Sequence, residues 1–242
     1  MPLFFDSFGV SAPGRDRDAN EDSFCTEDPL RLYSVSDGLG GYQAGSVASR
    51  TAQESVFRSL RGADPKTEAD ARSALSAAAH RAHEDIRRRS ASDPDLKGMR
   101  STLTLLYFHD TSYYFCNVGD SRGYIVRGGK LYQITRDHTP AFQLVLDGSL
   151  QKESLYVHPD AGLLTQSFGS DHAIAPDLFS GRTAKGDVFL LCSDGLPKEV
   201  KEPRILHILT HTHLPGTAAQ ALVDAALKAG GSDDVTVVVV AG

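Results

Sequence analysis

Cysteine is scarce in this chain of 242 residues: Cys25, Cys116 and Cys192 are the only three. Their number is odd and no Cys-x-x-Cys occurs, which argues against a disulfide framework and against a structural zinc site. Such usage suits a reducing compartment, so a cytoplasmic location is expected. Positive charge is not in excess either. Lys and Arg number 25 against 31 Asp and Glu, a formal net charge of −6. That balance disfavours a general nucleic-acid or anionic-membrane binder. The run Arg87-Arg88-Arg89 reads as a solvated helix face. No apolar run is long enough to span a bilayer. Residues 1–8 have no basic region and meet Asp6 early, so they do not read as a signal peptide. Solenoid repeats and low-complexity linkers are also missing. The remaining composition, 40% apolar and 23% charged, is ordinarily globular. A single domain over 1–242 and a monomer are expected.

Strand-like runs come early, at 4–10, 23–26 and 31–36. Two helical stretches follow. Residues 44–60 place Ala44, Val47, Ala48, Thr51, Ala52, Val56 and Leu60 on one face, and 68–89 do the same with Leu75, Ala78, Ala79, Ala82 and Ile86. Asp64-Pro65 separates them as a breaker. A second block of strands covers 102–108, 113–118, 123–127 and 130–134, with Gly128-Gly129 as a hairpin signal. A short helix is expected over 140–146 and a mobile, flap-like loop over 147–162, with Asp147-Gly148 as a turn. A buried strand follows at 187–193, then helices at 203–211 and 217–229. The β-branched run 235–240 reads as a central strand. Strands in blocks, broken by paired helices, disfavour a parallel doubly wound sheet and fit antiparallel sheets covered by helix pairs.

One pattern occurs twice. Ser36-Asp37-Gly38-Leu39 ends the run 32–35, and Ser193-Asp194-Gly195-Leu196 ends 188–192. In both, an apolar strand delivers an Asp to its tip and a Gly turns the chain away. A lone Asp-Gly is usually just a turn. Two more acidic clusters change the reading: Glu21-Asp22 opens an early strand, and Asp233-Asp234 opens the last one. Strand alternation sends Asp233 and Asp234 to opposite faces, so only one is expected to reach a shared site. Several carboxylates at strand ends repel one another unless a cation lies between them. Oxygen donors without a His–Cys pattern suit a hard cation such as Mg²⁺ or Mn²⁺.

In chain order stand Arg17-x-x-Asn20-Glu21-Asp22, Val35-Ser36-Asp37-Gly38-Leu39-Gly40-Gly41, Asn117-Val118-Gly119-Asp120-Ser121-Arg122, Cys192-Ser193-Asp194-Gly195-Leu196 and Gly231-Ser232-Asp233-Asp234-Val235-Thr236. Together they resemble the metal-dependent protein phosphatase family (PPM, type 2C) in its compact bacterial form, over nearly the whole chain. The resemblance implies an α+β four-layer sandwich, two packed antiparallel sheets flanked by pairs of helices. It implies hydrolysis of phosphoserine and phosphothreonine in proteins. It implies that Asp37 bridges two Mn²⁺ or Mg²⁺ ions, that Asp194 and Asp233 ligate one, and that Glu21 and the Gly38 carbonyl serve the other. Asp22 would support these ligands from behind. Asp120 with Asp194 would hold a third, weaker ion, and Arg17 would grip the substrate phosphate. The implied partners are phosphoproteins of a cognate Ser/Thr kinase, with type VI secretion control as one setting. Departures are visible too. Leu39 and Tyr42 stand where relatives carry His, which leaves the general acid open. Asp234 stands where Asn is usual and is expected to alter metal affinity. Asp137-His138-Thr139 matches a further family segment, with no catalytic role given to His138.

Rival chemistries are weaker. Cys25 to Arg31 and Cys116 to Arg122 have the Cys-x5-Arg spacing of cysteine phosphatases, but Glu27, Asp28 and Asp120 oppose a phosphate loop and Pro29 lacks an N–H. Gly38-x-Gly40 lacks the third glycine of a dinucleotide fingerprint, and Asp37 would repel a pyrophosphate. His207 and His211 at i, i+4, with His213 near, read as exposed histidines rather than zinc ligands. The alternative of another class is a catalytically weak phosphoprotein-binding or scaffold member of the same fold.

Overall fold

Strands far apart in the chain share each sheet. The computed structural model describes residues 5–41, 43–63, 65–212 and 214–242. Phe4 at the start of the first expected strand, Tyr42, the Asp64 of the breaker and His213 lie outside the described residues, as do positions 1–3. The first half holds β1 (Asp6–Ala12), β2 (Ser23–Glu27), β3 (Leu32–Ser36), β4 (Gly38–Leu39), α1 (Gln43–Leu60), α2 (Glu68–Ser92), β5 (Arg100–Ser101), β6 (Leu103–His109) and β7 (Ser112–Val118). The second holds β8 (Arg122–Arg127), β9 (Lys130–Gln133), α3 (Pro140–Leu146), β10 (Asp177–Arg182), β11 (Val188–Cys192), α4 (Gly195–Glu199), α5 (Glu202–His211), α6 (Pro215–Ala229) and β12 (Val235–Ala241).

One five-stranded sheet runs β1-β12-β11-β8-β9 and the other β10-β7-β6-β3-β2. All the pairings are antiparallel. Period-two alternation explains the layers. Leu103 and Leu105 of β6 face α1 and α2, together with Ala48, Val56, Leu75, Ala79 and Ile86. Leu106 and Phe108 face the opposite sheet, where Phe189, Leu191, Val238 and Val240 meet them. In β11, Leu190 and Cys192 turn outward to α5 and α6, and so do Val237 and Val239 of β12. Both faces of these strands are covered, which is why 188–192 reads as an unbroken apolar run and 235–240 as a β-branched run without polar alternation beyond Thr236. Phe189 packs edge-on against Phe108, ring centroids 4.9 Å apart, and ties the two sheets together. The result is the expected four-layer α+β sandwich.

The Gly128-Gly129 hairpin joins β8 to β9 with both glycines at positive φ, 58° and 72°. A primed turn needs that conformation and β-carbon-bearing residues resist it. α2 starts at a capping box between Thr67 and Asp70. Four of these elements are absent from the sequence reading. β10 alternates too weakly to be seen, since its residues are at most half-buried at a sheet edge. The five-residue α4 and the two-residue pair β4–β5 are too short for a periodic signal. Within 147–162, where a loop is expected, Lys152–Val157 forms a 3₁₀ helix. It buries Leu155 against Ala141 and Phe142, and a buried anchor of that kind stabilises even a short turn by about 1.5–3 kcal/mol.

Candidate active site

β3 and β11 come from different sheets, yet both end at one edge of the sandwich. Asp37 follows β3 directly, and two crossing bonds fix its backbone. Its N–H donates to Thr102 Oγ1 at 2.9 Å, and the Thr102 N–H donates back to the Asp37 carbonyl at 2.8 Å. Gly38 must be glycine, because a β-carbon there would overlap the Gly45 carbonyl of α1. A β-carbon on Gly45 would overlap Glu21 Oε2 and displace that carboxylate from its present position. This three-way approach of 21, 38 and 45 presses the Glu21 carboxylate onto the start of α1.

Asp194 caps β11 and opens α4. The preceding Ser193 joins three segments: its N–H donates to the Thr236 carbonyl at 3.0 Å, its Oγ accepts from the Thr236 N–H at 2.9 Å, and the same Oγ donates to Asp22 Oδ2 at 2.7 Å. Asp120 lies in the β7–β8 loop. The Asn117 amide ties that loop down, donating to the Gly119 carbonyl at 3.2 Å and to the Arg136 carbonyl at 3.0 Å. His138 serves the same loop, its Nδ1 accepting from the Gly119 N–H at 3.2 Å.

Arg17, Glu21, Asp37, Gly38, Asp120, Asp194 and Asp233 all line one cleft of about 310 Å³. Every sequence-predicted site residue except Asp22 is at its wall, and Asp22 sits behind, bonded to Ser193. Leu39, Gly162 and Leu164 also line it, so the end of the 147–162 segment reaches the cleft.

Asp233 and Asp234 both line the cleft, against the expectation that only one reaches it. β12 starts at Val235, so strand alternation does not govern them, and they differ instead in their partners. Asp233 pairs with Arg17 and with Lys198 Nζ at 2.9 Å. Asp234, 4% exposed, accepts the Gly14 N–H on Oδ1 at 3.0 Å and the Glu21 N–H on Oδ2 at 2.8 Å. Both its oxygens thus hold the loop that carries Arg17 and Glu21. An Asn there would turn an NH₂ toward one of those donors, so the departure Asp234 has a structural use that composition alone did not reveal.

The acidic groups strain against one another. Desolvation, with Asp22, Asp194, Asp120 and Asp233 adding like charge, pushes the Asp37 carboxyl well above the usual range. Desolvation and Asp194 do the same to Asp120, which Lys198 partly relieves. Asp22 is pushed up to about 7, chiefly by desolvation, against the opposing bonds from Ser193 and Thr236. Two carboxylate oxygens, Asp22 Oδ1 and Asp194 Oδ1, are buried without a hydrogen-bond partner. Orphaned acceptors among repelling carboxylates are what a hard cation would satisfy, and the donors are all oxygen. Among the described residues, though, no three acidic, histidine or cysteine side chains converge on one point. Lys198 Nζ, 2.6 Å from Asp194 Oδ2, stands where two of them meet. Sequence reading missed Lys198; its signal is the i, i+4 spacing from Asp194 on a helix.

The rival sites do not form. Cys116 and Cys192 are buried in β7 and β11. Burial pushes the Cys116 thiol up to about 12 and raises Cys192, while Cys25 is raised to about 11. A thiolate nucleophile needs the opposite shift. Arg122 is buried and bonded to Asp137 at 2.9 Å, so it presents no fork to a phosphate. His207 and His211 are exposed and stack on each other at 4.1 Å.

Comparison with known proteins gives this geometry its context. The family model described as protein phosphatase 2C matches residues 12–229. The serine/threonine protein phosphatase PstP of Mycobacterium tuberculosis is 37% identical over 91% of this chain. The chain spans 41% of that protein's length. A crystal structure of the catalytic domain of PstP in complex with two manganese ions superposes with a TM-score of 0.87 at 32% identity, over 98% of this chain and 97% of that one. PppA, described as a key regulatory component of the type VI secretion system in Pseudomonas aeruginosa, superposes at 0.88 with 29% identity, over 99% of this chain and 98% of that one. With a matched model over most of its length and a relative above a third identical, this chain belongs to the protein phosphatase 2C family.

Proposed function

We propose that the chain is a metal-dependent serine/threonine protein phosphatase that hydrolyses phosphoserine and phosphothreonine in proteins. The observation that carries the proposal is the single cleft that collects Glu21, Asp37, Asp120, Asp194 and Asp233, with Arg17 at its rim and an orphaned oxygen on Asp194. Asp37 would bridge two Mn²⁺ or Mg²⁺ ions, Asp194 and Asp233 would hold one, and Glu21 with the Gly38 carbonyl the other, with Asp120 and Asp194 offering a weaker third position. When bound, such ions supply Lewis acidity at the phosphoryl oxygens and lower the pKa of water. The chain's own residues do the rest. Thr102 and the Gly38–Gly45 contact hold Asp37 and Glu21 in place. Asp22, bonded to Ser193, steadies the strand tip that carries Asp194. Segment 147–162 acts as a flap beside the cleft.

Phosphoproteins of a cognate Ser/Thr kinase in the cytoplasm are the proposed substrates, and the likeness to PppA makes type VI secretion control one setting. No helix among the described residues is long and apolar enough to cross a membrane.

Release of phosphate from a phosphothreonine peptide in the presence of Mn²⁺ tests the proposal against a binding-only role. A cysteine-free variant separates the mechanisms. Cys25→Ser with Cys116→Ala and Cys192→Ala should retain turnover within about threefold, because no step uses a thiolate; alanine avoids burying an unpaired hydroxyl in β7 and β11. A folded variant without activity would favour a cysteine nucleophile.

Arg17 is exposed at the rim, and its guanidinium already finds a carboxylate partner in Asp233. A phosphate would compete for the same fork of N–H donors. Arg17→Ala should lower kcat/KM for the peptide about ten- to a hundredfold, mostly through KM, which corresponds to ~1.4–2.8 kcal/mol. An unchanged kcat/KM would remove Arg17 from the substrate site.

A further inference from the structure

We infer that Lys198 is the resident counter-cation of the acidic cleft: its ammonium holds Asp194 and Asp233 together in the ion-free protein, and a divalent ion displaces it to take those two carboxylates. The inference rests on the metal-binding reading above and deepens it.

The geometry starts with α4. This helix begins at the tip of β11, with Asp194 at its N-cap, so Lys198 lies one turn on and on the same face. Its Nζ reaches Asp194 Oδ2 at 2.6 Å and Asp233 Oδ2 at 2.9 Å. The ammonium therefore links the end of β11 to the approach of β12, across 39 residues (from 194 to 233). Its side chain is 27% exposed and lines the cleft, unlike a lysine extended into solvent.

The oxygen inventory is what makes this more than a salt bridge. Asp233 Oδ2 is taken by Lys198, and Asp233 Oδ1 accepts from Arg17 and from the Asp234 N–H. Asp194 Oδ2 is taken by Lys198. Only Asp194 Oδ1, buried and without a hydrogen-bond partner, is left of the four. An ion that takes both carboxylates must displace a cation from Asp233, either Arg17 from Oδ1 or Lys198 from Oδ2, and Lys198 is the one that holds both carboxylates at once. An ammonium is a compact point charge on a flexible stem, so it can leave by rotamer change without unfolding α4.

Thermodynamic linkage sets the expected signs. An interaction that stabilises the ion-free form and is lost on binding weakens binding by the same factor. Removing the charge at 198 should then have opposite effects on two measurements: the ion-free protein loses stability, and Mn²⁺ binds more tightly. A lysine that merely supported the site would lower both stability and affinity.

The test uses the full chain after EDTA treatment and desalting. Mn²⁺ is titrated into wild type, Lys198→Gln, Lys198→Met and Lys198→Arg by calorimetry, and melting is followed with and without Mn²⁺. Lys198→Gln and Lys198→Met should bind at least one Mn²⁺ about tenfold more tightly than wild type, with lower melting temperatures in EDTA that Mn²⁺ restores. Lys198→Arg keeps the charge and should stay within about threefold of wild type. Affinity that is equal or weaker in Lys198→Gln, or a variant that stays unfolded even with Mn²⁺, overturns the inference. Equal affinities across all four proteins would leave the metal reading standing. Absence of Mn²⁺ uptake in wild type would overturn both.

Discussion

Dialysis against EDTA should lower the rate of phosphothreonine-peptide hydrolysis by at least about a thousandfold, and added Mn²⁺ should restore it. Divalent ions stabilise developing charge on a transferring phosphoryl group by several kcal/mol, which is on the order of a thousandfold in rate. Nothing in the cleft replaces that contribution. Lys198 is held by two carboxylates, Arg17 contributes only the ~1.4–2.8 kcal/mol of its substrate contact, and the buried thiols are raised away from reactivity. Full activity in ion-free protein would end the two-metal proposal. The same preparation carries a pH signature. Asp22 is pushed up to about 7, and Asp37 and Asp120 are also raised. Unfolded, such carboxyls titrate near 4. Between about 4 and 7 the ion-free folded state binds more protons than the unfolded one. Stability from these groups is therefore fully present below about pH 4 and is lost as pH rises through the folded values. Melting of the EDTA-treated protein should fall from pH 5 to pH 8, and Mn²⁺ should flatten the trend by neutralising the cluster. A melting temperature that rises with pH in EDTA would contradict the electrostatic account.

Asp37→Asn and Asp194→Asn should each reduce kcat by at least about a hundredfold with the fold intact, since a hard cation needs the carboxylate charge. Their effects on the ion-free protein should differ. Asp37 is held against its preferred charge by desolvation and four neighbouring carboxylates, so a neutral Asn relieves strain and melting in EDTA should stay level or rise. Asp194 carries the ion pair to Lys198, so its Asn variant should melt lower. Measuring kcat and EDTA melting on both variants checks the two statements together. Near-normal turnover in a folded variant would take that residue out of the reaction, whereas equal melting shifts would mean that the two carboxylates share one environment.

Much of the architecture can be read locally. The period of 68–89 places Leu75, Ala79 and Ile86 on the face that α2 does bury, and the β-branched run of 235–240 matches a strand covered on both sides. β10 escapes because an edge strand with half-buried faces leaves little contrast between its two sides. The 3₁₀ helix at Lys152–Val157 escapes because a single buried anchor, Leu155, makes no period.

The candidate site divides along the same physical line. Sequence by itself determines which aspartates stand at strand tips, because an apolar run ending in Asp-Gly is a local statement about where a strand stops and turns. It does not separate Asp233 from Asp234, because both precede β12, where alternation does not apply, and both line the cleft. Tertiary structure alone decides what those groups touch. That Asp234 anchors Gly14 and Glu21, that Gly45 has to admit Glu21, and that Lys198 spans Asp194 and Asp233 all depend on contacts between segments far apart in the chain. No periodicity encodes such contacts. They exist because two sheets, each assembled from strands distant in sequence, end at the same edge of one sandwich.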